Sequence, residues 1–206
     1  FQSDEEAAAW PRFKGTQPTA GDVKYADLNN DGIMDERDKK VVSPYSNTPE
    51  IMFGLNLSAS WKGFDFSALF QGAANRNVML SGFATQMFIN GASNLPKYLY
   101  EDHWTPDNRD ARYPKAWGPD HPSNNKSSTF WLINGNYVRL KNVELGYSIS
   151  KDLLSRVGVD RLRIYVGGSN LFSIDHMPGY DPEKQDGGPN YYPQQKVFNM
   201  GVNITF

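Results

Sequence analysis

The sequence predicts an all-β fold of the transmembrane-barrel kind: antiparallel strands, apolar on one side and small and polar on the other, with long extracellular loops. Three observations carry that reading. Apolar residues recur at every second position over runs of about ten residues, the period of a strand with two unlike faces. The connections between those runs alternate between very short and very long. And the 206 residues include 18 glycines, 13 prolines and 14% aromatics, a composition that suits strands joined by extended loops better than helices.

The first strand is "IMFGLNLSASW", with Ile51, Phe53, Leu55, Leu57, Ala59 and Trp61 on one side and Gly54, Asn56, Ser58 and Ser60 on the other. Lys62-Gly63 then makes a tight turn into "FDFSALFQ", where Phe64, Phe66, Ala68 and Phe70 share a side; the two runs read as a hairpin. In "YVRLKNVELGYSI", Val138 and Leu140 hold one parity and Val143, Leu145, Tyr147 and Ile149 the other. That slip predicts a β-bulge near Asn142, because one extra residue reverses side-chain sidedness. "SKDLLSRVGVD" reads as a helical turn capped by Ser150. "RLRIYVGGSNLF" alternates again, and "KVFNMGVNITF" closes with Phe198, Met200, Val202, Ile204 and Phe206 on one side.

Between these strands, residues 1–50, 73–136 and 173–195 are long, whereas 62–63 and 150–160 are short. Brief turns at one end and long loops at the other are the habit of membrane barrels, whose strands need about 9–11 residues to cross. Trp61, Tyr147 and Phe206 lie near strand ends, as an interfacial aromatic girdle requires. Alternation alone also fits a soluble β-sandwich, here a secreted, calcium-stabilised glycan-binding module. Five strands are fewer than the roughly eight of the smallest membrane barrels. With no initiator Met and no signal-peptide pattern at its start, either an export signal has been removed or the sequence is the later part of a longer chain, and the membrane reading requires the latter. The division expected is residues 1–50, an extracellular loop, and 51–206, barrel strands with their loops.

The lead-in contains "DLNNDGIMDERD", the spacing of a calcium loop. Asp27, Asn29 and Asp31 stand at positions one, three and five, and Gly32 at the sixth, where the backbone must turn sharply. Ile33 offers its carbonyl at the seventh, Asp35 a ligand through water at the ninth, and Asp38 the closing carboxylate at the twelfth. The preceding "GDVKYA" reads as extended, so a paired helix–loop–helix switch is not expected, and the ion's role would be to pin a long loop.

Other chemistries are disfavoured. A net charge of −2 offers no basic face to nucleic acid, and the absence of cysteine excludes disulfides, thiolate zinc and a cysteine nucleophile. His103, His121 and His176 are scattered over loops without metal-ligand spacing. Glu101, Asp102, Asp107 and Asp110 share one polar loop but lack the defined separation of a glycosidase pair. Ser169 lacks a nucleophile elbow. No enzymatic activity is expected. The loop aromatics Trp104, Trp117, Tyr180, Tyr191 and Tyr192 could stack on sugars, pack loop on loop or meet a partner; substrate-binding residues stay unassigned.

Together "GDVKYADLNNDGIMDERDKKVV", "TPEIMFGLNLSASWKGFDFSALFQG", "YLYEDHWTPDNRDARYPKAW", "FWLINGNYVRLKNVELGYSIS", "LRIYVGGSNLF", "GYDPE" and the ending "FNMGVNITF" resemble, in order, the C-terminal part of SusC/RagA-type TonB-dependent transporters. The resemblance implies an outer-membrane barrel of 22 strands with an N-terminal plug, importing glycans or peptides. It also implies a SusD-like surface lipoprotein as lid, the TonB complex as energy source through parts outside these residues, and contact with outer-membrane lipid.

Overall fold

A computed structural model describes residues 1–88, 95–117, 123–150, 154, 158–184, 192 and 194–206. The elements are α1 (Asp4–Ala9), β1 (Arg12–Phe13), β2 (Ile33–Met34), β3 (Ile51–Trp61), β4 (Phe64–Ala74), β5 (Asn77–Met79), α2 (Lys97–Glu101), β6 (Leu132–Asn134), β7 (Tyr137–Ser148), β8 (Arg161–Asp175) and β9 (Val197–Thr205). They fall into two compact units interleaved along the sequence: Phe1–Pro44, Val78–Ile133 and Asp186–Tyr191 in one, Tyr45–Asn77, Asn134–Gln185 and Tyr192–Phe206 in the other. A linear cut at residue 50 and this spatial one are different descriptions of the chain.

The second unit is built on a five-stranded sheet in the order β3-β4-β7-β8-β9, antiparallel at every pairing. Lys62 and Gly63 both take positive φ, 47° and 89°. Two left-handed residues are what a two-residue hairpin turn requires to follow the twist of its strands. The bulge predicted near Asn142 is present: the β4–β7 and β7–β8 registers both shift around Lys141, opposite Asn170 and Leu171 of β8. Asn170 has φ 54°, the left-handed conformation that lets β8 accommodate the extra residues. The helical turn predicted over 150–160 lies largely outside the described residues, although Leu154 within it is helical and buried.

Register turns the sequence parities into rows. Trp61, Phe64, Tyr147, Ile164 and Val202 stand side by side across all five strands, and Ala59, Phe66, Leu145, Val166 and Met200 form the next row. On the opposite side, between these levels, run Ser60, Asp65, Gly146, Tyr165 and Gly201. The glycines there are seats for neighbouring side chains: a Cβ on Gly146 would collide with the Arg163 guanidinium, and one on Gly201 with the Tyr165 ring. Arg163 in turn bonds Asp65 and reaches Glu144 at 2.6 Å, tying three strands by charge.

The first unit ties the lead-in to the long excursion through a buried polar knot. Asn124 accepts from the Val23 N–H at 2.8 Å, donates to Asp22 at 2.8 Å, and gives its carbonyl to the Trp131 indole N–H at 2.7 Å. The Tyr25 hydroxyl donates to the Ser123 carbonyl at 2.6 Å. Burial pushes the Tyr25 phenol up to about 12, so it remains a donor throughout the physiological range. The same unit fully buries Trp131, Leu99, Met87 and Val78. Helix α1 was not anticipated in the polar lead-in; Ser3 caps it through the Glu6 N–H at 3.2 Å.

Candidate functional site

Three features of the two units bear on function. The first is the apolar side of the sheet. Trp61 is 69% exposed, Val166 53% and Met200 84%. Each large apolar side chain left in water forgoes about 1.5–3 kcal/mol relative to a buried one, so a whole face of them marks a surface that belongs against apolar material. No helix among the described residues is long and apolar enough to cross a membrane, which says nothing of strands.

The second is a polar assembly over the other side of the same sheet, which the sequence reading did not identify. Arg139 of β7, 6% exposed, meets Asp181 at 2.8 Å and Glu183 at 3.2 Å. Lys141, the bulge residue, reaches Glu183 at 2.9 Å. Arg76 is buried and donates to the carbonyls of Pro182 and Lys184 at 2.8 and 2.6 Å. Desolvation lowers its pKa, yet a guanidinium keeps its proton in proteins. Three cations thus clamp the "GYDPEK" segment (179–184) by both its carboxylates and two of its backbone carbonyls. The available signal was the pair Asp181 and Glu183 flanking Pro182, with Arg139 and Lys141 two residues apart on one strand; their convergence across the fold was not visible in sequence.

The third is the acidic loop. Its oxygens are largely engaged with the loop's own backbone. Asp27 accepts from the Gly32 N–H at 2.8 Å, Asn29 from the Asp31 N–H at 2.9 Å, and Asp31 from the Ile33 N–H at 3.0 Å. Asp38 accepts from the Leu28 and Asp35 N–H groups, both at 2.9 Å. Gly32 turns the chain at φ 84°, as its place in the motif demands. The Arg37 guanidinium bridges Asp31 at 2.7 Å and Asp35 at 2.8 Å, a tethered cation among the carboxylates. Asp35 is held below the usual carboxylate range chiefly by the Arg37 side chain, and Asp38 by the backbone N–H groups of Asp35 and Leu28. Among the described residues no three His, Cys, Asp or Glu side chains gather as a metal cage. One oxygen stands apart: Asp27 Oδ1 is buried without a hydrogen-bond partner. Behind the loop, β2 pairs with β1, Ile33 opposite Arg12, and Met34 is buried.

The remaining sequence candidates are dispersed. His103 Nδ1 lies 2.9 Å from the Tyr100 carbonyl, His176 is exposed on the other unit, and His121 falls outside the described residues. Glu101 pairs with Lys97 at 3.4 Å, and the Ser169 hydroxyl donates to Asn142 across the β7–β8 ladder. Of the loop aromatics, Trp117 is buried and Trp104 half-buried; Tyr192 is exposed and accepts from Gln195 at 2.5 Å, Tyr180 is half-buried, and Tyr191 lies outside the described residues.

A two-faced antiparallel sheet with an unburied apolar side and a charged opposite side defines an all-β chain of the membrane-barrel class. No protein-family model matches it. It is 30% identical over 199 residues to TonB-dependent receptor P26 of Formosa agariphila, a match covering 90% of this chain and 20% of that one. It is 24% identical over 185 residues to TonB-dependent receptor SusC of Bacteroides thetaiotaomicron, covering 88% and 17%. Among solved structures, the RagAB peptide importer in its closed-closed state aligns with a TM-score of 0.61 at 30% identity, over 79% of this chain and 18% of that one. Over most of its length the chain is similar to SusC/RagA-type TonB-dependent receptors. It spans about a fifth of the length of the curated relatives it matches.

Proposed function

We propose that this chain forms part of the C-terminal barrel wall of an outer-membrane, TonB-linked importer of glycans or peptides. The observation that carries this reading is the uninterrupted apolar face across five strands. Against acyl chains it regains the burial that water denies it, while the backbone ladder satisfies the polar groups of the wall. Closure into a barrel of 22 strands, a SusD-like lipoprotein lid, and coupling to the TonB complex are what the family resemblance implies for a longer protein. The rival reading, a secreted β-sandwich, needs a second sheet over the apolar face; the other sheets among the described residues are two-stranded ribbons. Fractionation of the source cells tests the choice. The importer requires the chain in the outer membrane within a much larger polypeptide, whereas a soluble 23.2 kDa species would refute it.

The acidic loop serves this function as a structural calcium site. Asp27, Asn29, Asp31, the Ile33 carbonyl, Asp35 through water, and Asp38 are the ligands, and the buried, unpartnered Asp27 Oδ1 supports the fit. A bound cation would take over the charge balance that Arg37 supplies and fix the loop on β2. The test is calcium-dependent protease resistance of residues 1–44 in the full-length receptor; resistance indifferent to calcium and chelator refutes the site.

A further inference from the structure

We infer that a cleft in the first unit is a subsite for a carboxylate on the imported ligand, held by Arg109 and Arg112 beside an aromatic wall. This deepens the importer reading and rests on it. The cleft has a volume of about 430 Å³ and is lined by Phe1, Gln2, Trp104 and residues of segments 21–26, 109–114 and 128–130, all within one compact unit.

Its charges are unequally neutralised. Lys24 is paired with Glu6 at 2.8 Å, and Asp22 is buried against Asn124 and Lys115. Arg109 and Arg112 also line the cleft, are exposed, and have no carboxylate partner among the described residues. Arg109 donates its Nε only to the Pro106 carbonyl at 3.4 Å, which leaves its terminal nitrogens open; Arg112 lies 5.7 Å from the Tyr113 ring centroid. Guanidinium groups present paired donors matched to a carboxylate, and two in one concave site concentrate that preference.

The wall beside them is preset. Trp104 lies against Gly21, whose φ of 84° and missing Cβ make the approach possible; a side chain at Gly21 would strike the indole. The indole N–H is held by Gln2 at 3.3 Å. Phe130 adds a second, partly exposed ring. Rings fixed before binding offer an apolar platform with little ordering cost. The chemistry recognised is therefore a carboxylate carried on a ring or residue with an apolar face. A uronic sugar and a peptide C-terminus both present it.

The experiment is calorimetric titration of the detergent-solubilised full-length receptor with two matched pairs. One pair is trigalacturonic acid and its trimethyl ester; the other is acetyl-Ala-Tyr-Ala as free acid and as amide. The acid of at least one pair is expected to bind about tenfold tighter than its neutral partner, the value of one charge-assisted contact in a partly wet site. The R109Q/R112Q double variant is expected to erase that preference, so that acid and neutral forms bind alike. The responding pair identifies the source of the carboxylate. Equal binding of acid and neutral forms, binding of none of the four, or a preference that survives the double variant overturns the subsite. Failure of the importer reading shows elsewhere, as absence from the outer membrane, and can occur with the acid preference intact.

Discussion

Arg139→Met is the most informative single change in the clamp over the polar side of the sheet. It keeps much of the aliphatic stem and removes only the guanidinium, leaving Asp181, whose side chain is 7% exposed, without its 2.8 Å partner. Breaking a buried ion pair from one side costs about 3–5 kcal/mol. The lower end applies here, because Lys141 remains 2.9 Å from Glu183 and Arg76 still holds the carbonyls of Pro182 and Lys184. About 3 kcal/mol of local opening corresponds to a roughly hundredfold faster exchange of the protected amides. Those amides are Glu183, bonded to Asp181 Oδ1 at 2.9 Å, and Lys184, bonded to the Asp181 carbonyl at 3.2 Å. Hydrogen-exchange mass spectrometry of the full-length receptor reads them directly. Arg139→Met combined with Asp181→Leu removes the carboxylate as well and should recover a large part of the loss at the Lys184 amide, the Glu183 amide having lost its acceptor. Exchange within threefold of the parent in the single variant, or strictly additive effects in the pair, would refute the clamp as a coupled unit.

Three further outcomes follow from the geometry. Val166→Arg, on the apolar face, should cost about 2–4 kcal/mol near a bilayer midplane and lower the folded, heat-modifiable fraction, whereas Ser58→Arg on the polar face should leave it unchanged. Arg37→Ala should lower the calcium needed to protect residues 1–44 from protease severalfold, since the competing tethered cation is gone, and Asp27→Ala should abolish the protection. The folded pKa values of Asp35 and Asp38 lie below their unfolded values, so their contribution to loop order is complete above about pH 4 and is lost as pH falls through the lowered values. Digestion with pepsin along a pH series should therefore show loop cleavage appearing only at the acid end, and cleavage already complete at pH 5 would contradict it.

The five-stranded sheet was legible because its signal is local. Alternation at Ile51–Trp61 and Val197–Thr205, the hairpin at Lys62-Gly63 and the parity slip near Asn142 are each decided within a dozen residues, and all appear in the pairing of β3, β4, β7, β8 and β9. What could not be read depends on sequence-distant encounters. The Asn124 knot joins residues 22–25 to 123–131, and the clamp joins Arg76 and Arg139 to 181–184. Polar side chains in loops carry no periodicity, so nothing in the string says which of them will converge. The excursion 73–136 was expected only as a long loop; it contains β5, β6, α2 and a buried aromatic centre at Trp131.

The bulge at Lys141 has a consequence for assembly. A regular strand can slide by two residues along its neighbour and still send every side chain to the correct medium, so alternation by itself selects sidedness but leaves height undecided. With one extra residue in β7 facing Asn170 and Leu171 of β8, a two-residue slide would set a kink against straight ladder on each side. The irregularity therefore works as a keyed joint. It gives neighbouring strands a single vertical alignment, and with it a fixed height at which Arg139 and Lys141 await the returning segment that carries Asp181 and Glu183.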